Sequence, residues 1–399
     1  MADNKENKVL NVPALRFSEL TEEWKDTTLD NECTINPTSD KLKAEFVYID
    51  LESVEKGELT KKQVIEKASA PSRAQRVLQN GDVLFQCVRP YQKNNYLVKD
   101  VSPEIQWVAS TGYAQLRTKK NNPAFIYHLL NTSSFNKKVI VRCTGSSYPA
   151  INSDDLSKIH FYICGIEEQK RIADFLSLLD ERIATQNKII EDLKKLKSAI
   201  VEMILCKQGG VLLKLGDVGS FIRGLTYSSE DIAEDINATT VIRANNLNYG
   251  NNVSKKDVVY VNKKPTEIQI LRKGDIVICM ANGSSSLVGK NSYYSFDDRQ
   301  STIGAFCGIY RSSQPLVKWL MQSQRYRRLV YQSLQGGNGA IANLNGDDIL
   351  NMTFYVVEDK KSVSILSALV LIENSIAVNE KLQELYSMQK EYLLQHLFI

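Results

Sequence analysis

At 399 residues the chain can fill two sizeable cores, and its 43% hydrophobic and 24% charged content is that of an ordinary globular protein. Seven scattered cysteines, odd in number and never in a CxxC pair, argue against a disulfide scaffold and a zinc site. A net charge of +4 with pI ≈ 8.5 is too mild to name a partner, yet it permits a polyanion if the positive charge gathers on one face.

Residues 1–8 read as a polar tail without the apolar core of a signal peptide, and no apolar run suggests a membrane span. A cytoplasmic protein with no membrane contact is therefore expected. Residues 12–17 with Trp24 form an apolar lead-in. Strands are expected at 46–49 and 82–88, the second preceded by the turn dipeptide Asn80-Gly81, and helical spacing runs over 123–141. A loop at 144–149 closes a first mixed α+β domain near residue 160.

Over 166–205 apolar residues recur at Ile172, Leu176, Leu179, Ile183, Ile190, Leu193, Ile200 and Ile204, with no Gly or Pro between them. This is the seam of an amphipathic helix of about 60 Å, a rod far longer than a compact domain needs. Gly209-Gly210 then stops the helix. The design returns: strands around 240–243, 258–261 and 275–280, a helical run over 315–334, a glycine-rich loop at 336–339, and a second rod over 357–398.

Three separate matches share one offset of 193 positions. Leu78-Gln79-Asn80-Gly81-Asp82-Val83-Leu84 corresponds to Leu271-Arg272-Lys273-Gly274-Asp275-Ile276-Val277, residues 153–156 to 346–349, and 161–163 to 354–356. The chain thus reads as a duplicated unit. The expected architecture is α+β, with two repeated globular domains (1–160 and 209–356), each followed by a long helix (161–208 and 357–399). The two helices would pack as an antiparallel coiled coil, with Gln186 and Asn379, related by the same offset, as a polar pair fixing its register.

Catalytic equipment is not evident. Asn122-Pro123-Ala124-Phe125 lacks the second proline of the adenine methyltransferase motif, and 283–291 has one residue too many for a phosphate loop. Gly337-Asn338-Gly339 precedes no βαβ unit. His128, His160 and His396 form no ligand spacing, so no catalytic and no metal-binding residue is assigned.

Polar and basic loops carry more information. The first copy offers Arg73, Arg76, Gln86, Arg89, Lys93, Asn94, Asn95, Arg142, Ser146 and Ser147. The second offers Arg243, Asn245, Asn246, Asn282, Ser284, Lys290, Arg325, Arg327, Arg328 and Asn338. Base-edge readout in a DNA groove needs Arg for guanine and Asn or Gln for adenine, with Lys and Ser on phosphates. Each cluster alone could be a solvated face; their recurrence at related places favours double-stranded DNA.

These residues together resemble the specificity (S) subunit of a type I restriction-modification system. The likeness covers the lead-in with Trp24, the strand at 81–85 and its copy at Gly274, and the loop from Thr144 to Ile151. Above all it covers Glu167-Glu168-Gln169-Lys170-Arg171-Ile172-Ala173 running into Leu179-Asp180-Glu181. Asp359-Lys360-Lys361-Ser362 departs from that pattern in the second rod, and Leu20 stands where the family more often has Phe. The resemblance implies two target-recognition domains, each reading half of a split DNA target, and helices that set the spacing and dock two methyltransferase (M) subunits. Restriction (R) subunits would complete the complex. S-adenosylmethionine, ATP and Mg²⁺ would belong to those partners, and this chain would hold no cofactor. The competing readings are a coiled-coil adaptor without DNA binding and a stand-alone DNA methyltransferase.

Overall fold

A computed structural model describes residues 11–145, 147–205, 210–334, 342–357 and 359–399. Contacts divide the chain into two compact units, Met1–Asn187 with Lys381–Ile399, and Lys188–Glu380. Both long helices, Ile166–Met203 and Asp359–His396, contribute one part to each unit.

In the first unit an antiparallel sheet runs in the order Cys33–Ile35, Tyr113–Thr118, Val83–Gln86, Tyr96–Leu97. A second sheet has the order Gln63–Glu66, Glu45–Ile49, Gln106–Ser110, Ala74–Val77, with its two central strands parallel. Val83–Gln86 is buried on both faces, which is why it reads as an unbroken apolar run. Val83 and Phe85 enter a core with Phe125 and Leu129, whereas Leu84 enters another with Val47 and Trp107. The helical stretch expected over 123–141 is two helices. Asn122 caps Pro123–Leu130, and the Thr132 hydroxyl accepts the Phe135 N–H to start Ser133–Arg142.

The second unit has an antiparallel sheet ordered Gly219–Arg223, Cys307–Ser312, Ile276–Cys279, Asn291–Tyr293. Its other sheet runs Ile232–Ala233, Val259–Val261, Thr239–Ile242, Ser301–Ile303, the last pair parallel. Ile276 and Ile278 face one core and Val277 and Cys279 another, as in the first unit's central strand. Here too the expected helix over 315–334 is divided, into Val317–Leu320 and Gln324–Leu334.

Each central strand begins with the same device. Gly81 and Gly274 take φ +88° and +104°, which glycine adopts without steric cost, and the next residue is a buried aspartate. Asp82 accepts the Gln79 N–H at 2.8 Å and both arms of Arg117 at 2.8 and 2.9 Å, with Gln115 at 2.7 Å. Asp275 accepts the Arg272 N–H at 2.7 Å and Arg311 at 2.8 and 2.7 Å. Charge-assisted forks of this geometry are strong and directional.

The beginning of the central helix packs into the first unit through Ile172, Ala173, Leu176 and Leu179, in one core with Leu393, Leu397 and Phe398 from the end of the terminal helix. Asp180 pairs with Lys390, and Arg16 forks onto buried Glu168 at 2.8 and 2.7 Å. In the second unit Val201 and Ile204 share a core with Leu369, while Lys194 pairs with Glu380 at 2.7 Å and Lys197 with Glu373 at 3.5 Å. One expectation needs correction: Val363–His396 is long and apolar enough, by length and composition, to cross a membrane, with a window of mean hydropathy 1.4. The sequence reading missed it because charged residues interrupt the run. One of them, Glu373, is paired with Lys197 and Lys318 inside the unit.

Asp82→Ala should lower stability to urea by about 3 kcal/mol, the low end for breaking a buried pair, since Arg117 keeps 31% of its side chain exposed. A second expectation concerns His128, 1% exposed, whose Nε2 lies 3.4 Å from Ser177 Oγ. Burial, with Lys390 and Lys99 nearby, pushes its pKa from 6.5 down to about 3. The unfolded chain takes up this proton first. Its contribution to stability should be complete above pH 6.5 and be lost as pH falls towards 3, by about 1.4 kcal/mol per pH unit. Urea titrations at several pH values should show His128→Leu removing that part of the slope.

Candidate nucleic-acid interface

In the first unit the chain leaves Val83–Gln86 and turns through the short helix Pro90–Gln92, flanked by Arg89 and Lys93 at φ +55° and +54°. Left-handed conformations at two non-glycine residues require a surrounding structure that enforces them. That structure is a buried amide network. Gln86 Nε2 donates to Val88 O and Gln92 Oε1, both at 2.8 Å, and its Oε1 accepts the Asn94 N–H. Asn95 Oδ1 accepts the Gln86 N–H at 2.9 Å, and its Nδ2 donates to Asn131.

Gln86 and Asn95, expected to face DNA, are therefore corrected to supports of the turn: they are 2% and 1% exposed and their polar atoms are engaged inside. Lys93 is half-buried and donates to Asn131 O at 3.2 Å, and burial lowers its pKa. Asn94 is tied to the Lys56 N–H, and Arg76 is half-buried, its pKa also lowered by burial.

What remains open to solvent is half-buried Arg89, exposed Tyr91 and the 147–149 loop. The Arg89 N–H donates to Pro149 O, and its guanidinium sits 4.4 Å from the ring centre of exposed Tyr148. Ser147 is exposed beside it, and Arg73 is exposed where its carbonyl accepts the Thr111 N–H. Arg142, exposed, donates back to Lys138 O on its own helix. Ser146 lies outside the described residues.

The second unit presents a comparable edge. Beyond Thr239–Ile242, exposed Asn245 is held by its neighbour Asn246, whose Oδ1 accepts the Arg243 N–H and whose Nδ2 donates to Lys256 O at 2.7 Å. Asn246 is 1% exposed and is likewise corrected from a DNA contact to a support. Arg243 is half-buried, with a long contact of 3.4 Å to Asp257 O. Beyond Ile276–Cys279, Asn282 Oδ1 accepts the N–H of exposed Ser284.

Lys290 stands 4.9 Å from the ring centre of Tyr249, at a cleft of about 270 Å³ shared with Ser285, Arg327 and Tyr331. Arg325 and Arg328 are exposed on the same helix as Arg327. Asn338 lies outside the described residues. Tyr91, Tyr148 and Tyr249, absent from the sequence-based set, were findable only as aromatics interleaved with basic loops.

Among the described residues no catalytic constellation is found at either edge. The histidines stay apart: His128 beside Ser177, His160 on Asp26 and His396 on Tyr392 O. Among the described residues no three His, Cys, Asp or Glu side chains are grouped to hold a metal.

Residues 22–195 match the family model described as the type I restriction modification DNA specificity domain. These residues are similar to that domain, and the match covers less than half of the chain. The chain is 28% identical over 164 residues to the type I restriction enzyme EcoKI specificity subunit of Escherichia coli, covering 39% of this chain and 35% of that one. It is 26% identical over 210 residues to the putative MjaX specificity subunit of Methanocaldococcus jannaschii, 49% of each chain. With the EcoKI subunit the match spans about a third of the relative's length. The structure resembles the type I restriction-modification S subunit from M. genitalium, with TM-score 0.60 and 14% identity over 97% of this chain and 99% of that one. A chain from a structure described by complex assembly and conformational transition of the type I R-M system gives TM-score 0.54 at 20% identity, covering 95% and 97%. At these identities the likeness concerns the fold.

If the amide network sets the Arg89–Lys93 turn, Gln86→Leu should cost about 1–3 kcal/mol by leaving the buried groups it serves unpaired. Hydrogen exchange should then show faster exchange at Asn94 and neighbouring amides, with the amides of Val83–Gln86 less affected.

Proposed function

We propose that this chain is the non-catalytic specificity subunit of a type I restriction-modification complex, each unit reading one half of a bipartite double-stranded DNA target. The observation that carries this is the recurrence in both units of turns that join a partly exposed Arg to exposed Tyr and Ser side chains, Arg89, Tyr91, Ser147 and Tyr148 in the first and Arg243, Tyr249 and Ser284 in the second, with exposed Asn245 added there. Such side chains suit groove readout and phosphate contacts. The two long helices set the distance between half-sites, about 34–36 Å or a multiple for halves on one face of DNA.

An antiparallel coiled coil for these helices is supported by their ion pairs. Asp180–Lys390 and Glu373–Lys197 are the same pair under the 193-residue offset, with the helices exchanging roles. Buried Gln186 and half-buried Asn379 serve as its polar register residues. Exposed apolar side chains on the helices, including Phe175, Leu178, Leu371 and Met388, offer docking faces for two methyltransferase subunits. Restriction subunits complete the assembly, and S-adenosylmethionine, ATP and Mg²⁺ act in those partners. The complex works in the cytoplasm.

Co-production with a type I methyltransferase subunit from the same organism should yield methylation of genomic DNA at a two-part motif only when this chain is present. Methylation unchanged by its omission would remove the recognition role.

A further inference from the structure

Resting on the DNA-reading role above, we propose that Phe306 is a specificity-determining residue that packs against the C5-methyl group of a thymine in the half-site read by the second unit. Phe306 is 70% exposed, at the tip of the turn between Ser301–Ile303 and Cys307–Ser312, closed by the Cys307 N–H on Gly304 O. A partner that covers this side chain gains by removing its apolar surface from water.

The turn is held firmly. The Met280 and Ala281 N–H groups donate to Phe306 O at 2.8 and 3.3 Å, and the Gly304 N–H donates to Ile242 O. These bonds join the tip to the two segments that carry Arg243 and Asn282. A Cβ at Gly304 would lie 3.8 Å from Arg243 Cγ, so the arginine stem runs alongside the turn. A rigid apolar tip amid Arg and Asn side chains suits the thymine methyl, the one apolar feature of the major-groove code.

The first unit lacks this element. There the Cys87 N–H, equivalent to that of Met280, donates to Gly112 O, and the turn carries Thr111 and Gly112 with no aromatic at its tip. The preference should therefore appear in one half-site only.

The test uses the full chain bound to its methyltransferase subunits, and duplexes of the methylated motif in which each thymine is replaced in turn by deoxyuridine, which lacks the methyl. One replacement, in one half-site, should weaken binding about fourfold, the worth of burying one methyl-sized group. Phe306→Ala should weaken binding to the thymine duplex by a similar or larger factor and be indifferent to that replacement, while Phe306→Leu keeps part of the sensitivity. The exposed side chain contributes little to packing, so these variants should fold, and unchanged urea stability checks it. Uracil-insensitive binding, equal sensitivity in Phe306→Ala, or a motif without thymine overturns the inference. Failure of the unsubstituted complex to bind any sequence preferentially would instead overturn the DNA-reading role itself.

Discussion

A carboxylate buried at the head of a central strand, gripped by both arms of an arginine from the neighbouring strand, is the constraint on which each unit depends. Asp82 with Arg117 and Asp275 with Arg311 would be costly as lone buried charges, so each pair admits essentially one arrangement of strand and turn. The pair fixes where the strand starts. Because alternate residues then point into different cores, register at this end decides which turn emerges at the other. A one-residue slip would exchange Val83 and Phe85 for Leu84 between cores and displace the whole candidate interface with them.

On that shared scaffold the two edges differ in how they are built. The first unit supports its turn with buried amides, Gln86 and Asn95, which impose left-handed backbone at Arg89 and Lys93. The second uses Asn246 beneath Arg243 and Asn245, and places an aromatic tip where the first has glycine. Equivalent frameworks with unlike edges suit the asymmetric bipartite target proposed above.

The framework was readable because its signals are long or repeated: the rods extend over 38 residues each, and the Gly-Asp strand start occurs twice at one offset. Most other strands hold only two to five residues, as at Cys33–Ile35 and Asn291–Tyr293, too short for alternation to stand out. The break at Asn131–Thr132 was signalled by a capping threonine that the apolar spacing masked. The site was less legible. Asn and Gln carry the same donors and acceptors whether they read a base or hold a loop, so Gln86, Asn95 and Asn246 could be sorted from Asn245 only by burial. Phe306 escaped notice for the opposite reason, since an isolated phenylalanine in sequence reads as core.

The central claim is that each unit reads its own half of the target. Its most direct test is methylome sequencing of cells carrying the complex in which Arg243 and Asn245 are both replaced by alanine. The account predicts that one half of the methylated motif becomes relaxed while the other half and the spacing stay unchanged. A motif altered in both halves, or in neither, would contradict it.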